Sequence, residues 1–88
     1  MNVLHNNNNA NDPYGFKKKF NEIDNNSLIL KFNEQVGIHV WGNARAHYLE
    51  ALRDEFIKRG FNCGIIINSA GMSIAKKIKL VGNEVKFI

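Results

Sequence analysis

Cysteine and proline each occur once in the 88 residues. The lone Cys63 has no partner for an internal disulfide, and no C-x-x-C pair is present to suggest zinc or thiol redox chemistry. No stretch approaches the ~18 apolar residues that a membrane-spanning helix requires. The opening MNVLHNNNNANDP lacks both a basic and an apolar signal segment, so we expect a soluble protein of the reducing cytoplasm, without a membrane partner.

Catalytic signatures are equally scarce. There is no G-x-S-x-G elbow, and no pair of carboxylates stands at a telling spacing. His5, His39 and His47 are separated by intervals that match no metal signature. Cys63 begins an apolar stretch, where a thiol behaves as a small apolar group with a raised pKa. Glu50–Arg53 and Asp54–Lys58 read as ordinary pairs on a solvated helix face. The expectation is a protein without enzymatic activity, cofactor or metal.

An apolar share of 44% is enough for a modest core in one domain. A chain of this size buries about 60–65% of its unfolded surface, so its stability should be small. Net charge is +4, and it is unevenly placed. Residues 72–88 hold Lys76, Lys77, Lys79 and Lys86 against Glu84, a net +3. A basic excess of this kind suits an anionic partner such as nucleic acid, or serves solubility alone.

Along the chain, residues 1–11 with the run Asn6–Asn9 read as a disordered, Asn-rich leader, followed by a single α+β domain over 12–88. Asp12-Pro13 can start a short helix carrying Phe16, Phe20 and Ile23 on one side, ended by Asn25-Asn26. Ser27–Trp41 alternates with period two, placing Leu28, Leu30, Phe32, Val36, Ile38 and Val40 on one face. A loop at Asn33-Glu34-Gln35 would fold it into a hairpin, and one long bulged strand is the rival. The opposite face would carry Ile29, His39 and Trp41, covered by Phe16 and Phe20 or by a partner.

Asn43 can cap a helix over Ala44–Arg59, with Tyr48, Leu49, Leu52 and Phe56 facing inward and Gly60-Phe61 as its stop. Asn62–Asn68, with Ile65-Ile66-Ile67, predicts a central strand parallel to Val36–Trp41 through a right-handed crossover. The last two strands turn at Gly82-Asn83, which sets Ile78 opposite Phe87, Lys79 opposite Lys86, Leu80 opposite Val85 and Val81 opposite Glu84. The architecture expected is a mixed four- to five-stranded sheet, with one long helix packed on a face.

Two candidate sites emerge. Lys77, Lys79 and Lys86 share the outer face of the last hairpin, where like charges oppose one another. Such lysines either guard a sheet edge against other chains or meet the phosphates of nucleic acid. Lys76 lies beside them, and WGNAR offers Arg45 for a phosphate and Trp41 for base stacking. The first reading is therefore a non-enzymatic nucleic-acid-binding module. The alternative is a protein-interaction module, inhibitor-like or antitoxin-like, that docks a partner or a second copy through Ile29, His39 and Trp41 or through an edge strand.

Overall fold

Asp12 organises the first turn of the fold. Its carboxylate accepts the backbone N–H groups of Lys17 at 3.0 Å and Lys18 at 3.2 Å, capping helix α1, Phe16–Asn21, across an intervening turn. Gly15 permits that turn, with a φ of 74° in the left-handed region. The structure, a computed structural model, describes residues 12–88; the expected leader, 1–11, lies outside them.

The segment read as a hairpin begins as a helix. Helix α2 runs Asn25–Gln35, and the Asp24 carboxylate caps it by accepting the Ser27 N–H at 2.7 Å. Asn25-Asn26 therefore starts a helix rather than ending one. Leu28, Ile29 and Phe32 are buried in its inward stripe, while Leu30, which strand alternation would have hidden, is 61% exposed. Leu28 and Phe32 satisfy both periods; Ile29 and Leu30 decide for the helical one. Gly37, at φ 83°, then releases the chain into an irregular segment that reaches Gly42.

Helix α3, Asn43–Lys58, follows the expected span to within a residue, starting after Gly42 rather than at an Asn43 cap. Its end is built as the sequence implies. The Gly60 N–H reaches the Ile57 carbonyl at 3.0 Å and the Phe61 N–H reaches the Phe56 carbonyl at 3.3 Å, with Gly60 at φ 73°. That is the Schellman pattern, and Phe61 is its buried apolar follower. Leu52 and Phe56 are fully buried, as their spacing predicts.

The expected central strand at Asn62–Asn68 is mostly a turn. Ile66 and Ile67 both donate to the Cys63 carbonyl, at 3.0 and 2.9 Å. Ile66 faces inward while Ile65 is 47% exposed, so the isoleucine run is not buried on both sides. Strands β1, Ile67–Asn68, and β2, Gly71–Met72, form a minimal antiparallel hairpin. The predicted parallel crossover is absent among the described residues; only Asn62 bridges in parallel, to Glu84.

Strands β3, Ile78–Val81, and β4, Glu84–Phe87, form the second hairpin in the expected register. The fold is thus α+β, but among the described residues it comprises three helices and two two-stranded antiparallel sheets. No single four- to five-stranded sheet forms, and the helical face is made by three helices instead of one. No helix among the described residues is long and apolar enough to cross a membrane.

Phe20, Leu28, Phe32, Leu52, Phe56, Ile78 and Val85 fill the centre. Tyr48 takes Phe16 and Phe20 edge-on, each with ring centroids 5.0 Å away. Arg59 closes the helical layer. It bonds Glu55 at 2.7 Å and Asn25 at 2.8 Å, and it donates to the carbonyls of Phe20 at 2.8 Å and Ile23 at 2.7 Å. One guanidinium thereby joins the end of α3 to the junction between α1 and α2. Its planar fork of donors suits that task.

Candidate functional site

Ile78 turns its N–H and C=O away from β4 and bonds both to the side chain of Asn33. Alternation then makes Lys79 and Lys86 a hydrogen-bonded pair, the wider kind, with Cα atoms about 5.5 Å apart. Lysine ammonium groups can splay into water from that spacing, which moderates their repulsion. The Ile88 N–H donates to the Lys77 carbonyl at 3.3 Å, so pairing runs one step beyond the strands and carries the alternation to Lys77.

Ile78 and Val85 accordingly point into the core, while Lys77, Lys79 and Lys86 are exposed. Leu80 is half-buried, but Phe87, expected inside with it, is 45% exposed at the open end of the hairpin. Lys86 pairs with Glu84 on its own strand at 3.6 Å. Among the described residues, Lys76, Lys77 and Lys79 make no ion pair. Lys76 lies apart from the outer lysines, with its ammonium 5.6 Å from the Phe87 ring centroid.

Both outer edges of the hairpin are partly closed. Asn33 occupies the β3 edge at Ile78, and the Asn62 backbone occupies the β4 edge, accepting the Val85 N–H at 2.9 Å. The Asn83 amide donates to the Gly60 carbonyl at 2.7 Å and ties the turn to the end of α3. The hairpin therefore presents its lysine face from a fixed platform.

Arg45 is engaged within the protein. Its Nε donates to the Gln35 side chain at 3.1 Å and its Nη2 to the Gln35 carbonyl at 3.3 Å, favourable for a cation at the C-terminal end of α2. The guanidinium also lies 4.9 Å from the centroid of Trp41. These contacts hold the Arg45 guanidinium between Gln35 and Trp41, with its Nη1 buried and without a hydrogen-bond partner among the described residues.

Trp41 is 70% exposed, beside Ile38 at 40% and Val40 at 72%. A groove of about 420 Å³ separates Trp41, Ile38 and His39 from Ile74 and Ala75. Ile29 belongs to the core at 7% exposure, so the expected Ile29/His39/Trp41 face does not assemble. Its strand alternation was lost when this segment became a helix. Phe16 and Phe20 cover Tyr48 rather than Trp41.

The remaining chemical groups stand apart. His47 packs against Tyr14 at 5.3 Å, and His39 is exposed on the groove. Among the described residues no group of three or more His, Cys, Asp or Glu side chains could hold a metal ion. Cys63 is buried, and burial pushes its thiol pKa up, away from the reactive thiolate. Sequence reasoning missed Phe87 as a surface aromatic; its position beyond the last tight turn, next to the exposed Ile88, was the available signal.

No protein-family model, curated protein or solved structure matches this chain. The functional reading therefore rests on the geometry alone.

Proposed function

We propose that this protein is a small non-enzymatic module that binds nucleic acid through the outer face of the β3–β4 hairpin, with Lys77, Lys79 and Lys86 contacting phosphates. The observation that carries this reading is the partial closure of both hairpin edges by Asn33 and Asn62. Edge lysines protect unpaired strand groups from other chains. Here part of that protection already exists, yet the lysines still oppose each other across the strands, at a cost in like-charge repulsion. Phosphates would offset that repulsion.

Binding of a generic oligonucleotide, followed by anisotropy over a salt series, tests the reading. Three phosphate contacts give a log–log slope of about −2 to −3, and Lys79→Gln flattens it by roughly one unit. Absence of binding at low salt, with increased self-association after replacement of all three lysines, would overturn the reading in favour of edge protection.

A protein-interaction role is the second reading, supported by the exposed Ile38, Val40 and Trp41 on one irregular segment. It no longer includes Ile29. Concentration-dependent gel filtration, with burial of the Trp41 indole on association, is its signature.

A further inference from the structure

Building on the nucleic-acid reading, we propose that the ligand is single-stranded. Its bases stack on Trp41, beside the groove, and on Phe87, at the open end of the hairpin, and its backbone passes Lys76 and rounds that end at Lys77 to reach Lys79 and Lys86 on the opposite face. Two aromatic side chains at the protein surface are each paired with a cation: Trp41 with Arg45 at 4.9 Å, and Phe87 with Lys76 at 5.6 Å. Arg45 is itself anchored to Gln35, so the indole is held rather than left to swing. A cation over one face leaves the other face of the ring available.

The two platforms are linked through the chain. The groove beside Trp41 is lined on its far side by Ile74 and Ala75, and Lys76, the next residue, carries the contact to Phe87. Its volume of about 420 Å³ lies within the range of small-ligand clefts, roughly 300–1,000 Å³. Lys77 then leads onto the outer lysine face. Aromatic platforms beside a basic track are the elements by which proteins hold single strands, because every unpaired base offers a π-face. A duplex keeps those faces stacked internally and would leave Trp41 and Phe87 without a ligand. The net +3 of residues 72–88 supplies the complementary charge.

A mixed-sequence single-stranded oligonucleotide, its duplex and an abasic strand of equal length can be titrated at one salt concentration. The single tryptophan provides the local signal. The expected result is tightest binding of the single strand, with Trp41 fluorescence quenched on saturation. Trp41→Ala and Phe87→Ala should each weaken it by about 5- to 150-fold, the range spanned by one lost base-stacking contact. The same variants should leave the abasic strand's affinity unchanged, and circular dichroism should show an intact fold.

Equal affinity for single strand and duplex, unaltered in Trp41→Ala, would overturn the single-strand assignment while leaving the lysine-face reading standing. Binding of no strand at low salt would defeat both. Loss of self-association in Trp41→Ala, with nucleic-acid affinity unchanged, would assign the groove to a protein partner and overturn the assignment as well.

Discussion

The carboxamide of Asn33 holds both backbone polar groups of Ile78. Its Nδ2 donates to the Ile78 carbonyl at 2.9 Å, and its Oδ1 accepts the Ile78 N–H at 2.9 Å. At this position a helix side chain does what a neighbouring strand would do. The exchange fastens α2 to β3 and, through the register, sends Ile78 inward and the adjacent lysines outward.

Replacing Asn33 should therefore loosen the hairpin. Asn33→Ala leaves a part-buried donor and acceptor unpaired, with an expected cost of ~1–3 kcal/mol. Each 1 kcal/mol lowers Tm by roughly 4–8 °C in a domain of this size. Asn33→Asp keeps an acceptor for the Ile78 N–H but points a second oxygen at the carbonyl, so it should not restore stability. Thermal melts and amide exchange at Ile78 measure both effects. Unchanged exchange in Asn33→Ala would show that this contact does not hold the strand.

That contact also marks the limit of what the sequence revealed. Helix α3 was legible because its apolar stripe is long and Gly60-Phe61 specifies its stop. The last hairpin was legible because a two-residue turn fixes the register. Helix α2 was misread because Leu28 and Phe32 fit both a helix and a strand, and the Asn25-Asn26 pair drew attention from the Asp24 cap. Ile65–Ile67 shows only that apolar side chains are present, not that both faces are covered. Asn33 and Ile78 are 45 positions apart, a contact no local periodicity encodes. The lysine face was visible in advance, whereas the groove between Trp41 and Ile74 depends on packing between distant segments.

Arg59 offers a sharper stability test. Its side chain is 16% exposed and that of Glu55 6% exposed, so removal of the guanidinium leaves a carboxylate buried without its partner. It also leaves the carbonyls of Phe20 and Ile23 without this donor. Arg59→Ala should cost about 3–5 kcal/mol, much of the stability of a small domain. Arg59→Lys should recover little, because one ammonium cannot reproduce the fork. Urea denaturation of both variants decides the matter; a stable Arg59→Lys protein would show that charge alone suffices.

Asp24 predicts a response to acid. Its hydrogen bond from the Ser27 backbone holds the carboxyl below the ordinary carboxylate value. A pKa depressed in the folded state stabilises the fold at pH above the unfolded-state value, about 3.9. This contribution declines as pH falls through that value and is lost below the folded pKa. Wild type should therefore lose part of its Tm in that acidic window. Asp24→Asn, which retains an acceptor without a titrating group, should show a smaller change. Equal acid sensitivity in the two proteins would mean that other carboxylates govern it.

Lys79 can separate binding from stability. It faces Lys86 across the strands, and Lys86 already has Glu84 beside it at 3.6 Å. Lys79→Glu replaces a cross-strand repulsion with an attraction worth ~0.2–1 kcal/mol, in the wider pairing geometry where such effects are modest. The variant should melt at an equal or slightly higher temperature than wild type. Its oligonucleotide binding should nevertheless weaken at every salt concentration, because a phosphate contact becomes a repulsion. Lys79→Gln should fall between the two in affinity. A residue whose charge reversal raises stability and lowers affinity is placed for the ligand rather than for the fold. Should Lys79→Glu bind oligonucleotide as tightly as wild type, the phosphate track would have to lie elsewhere.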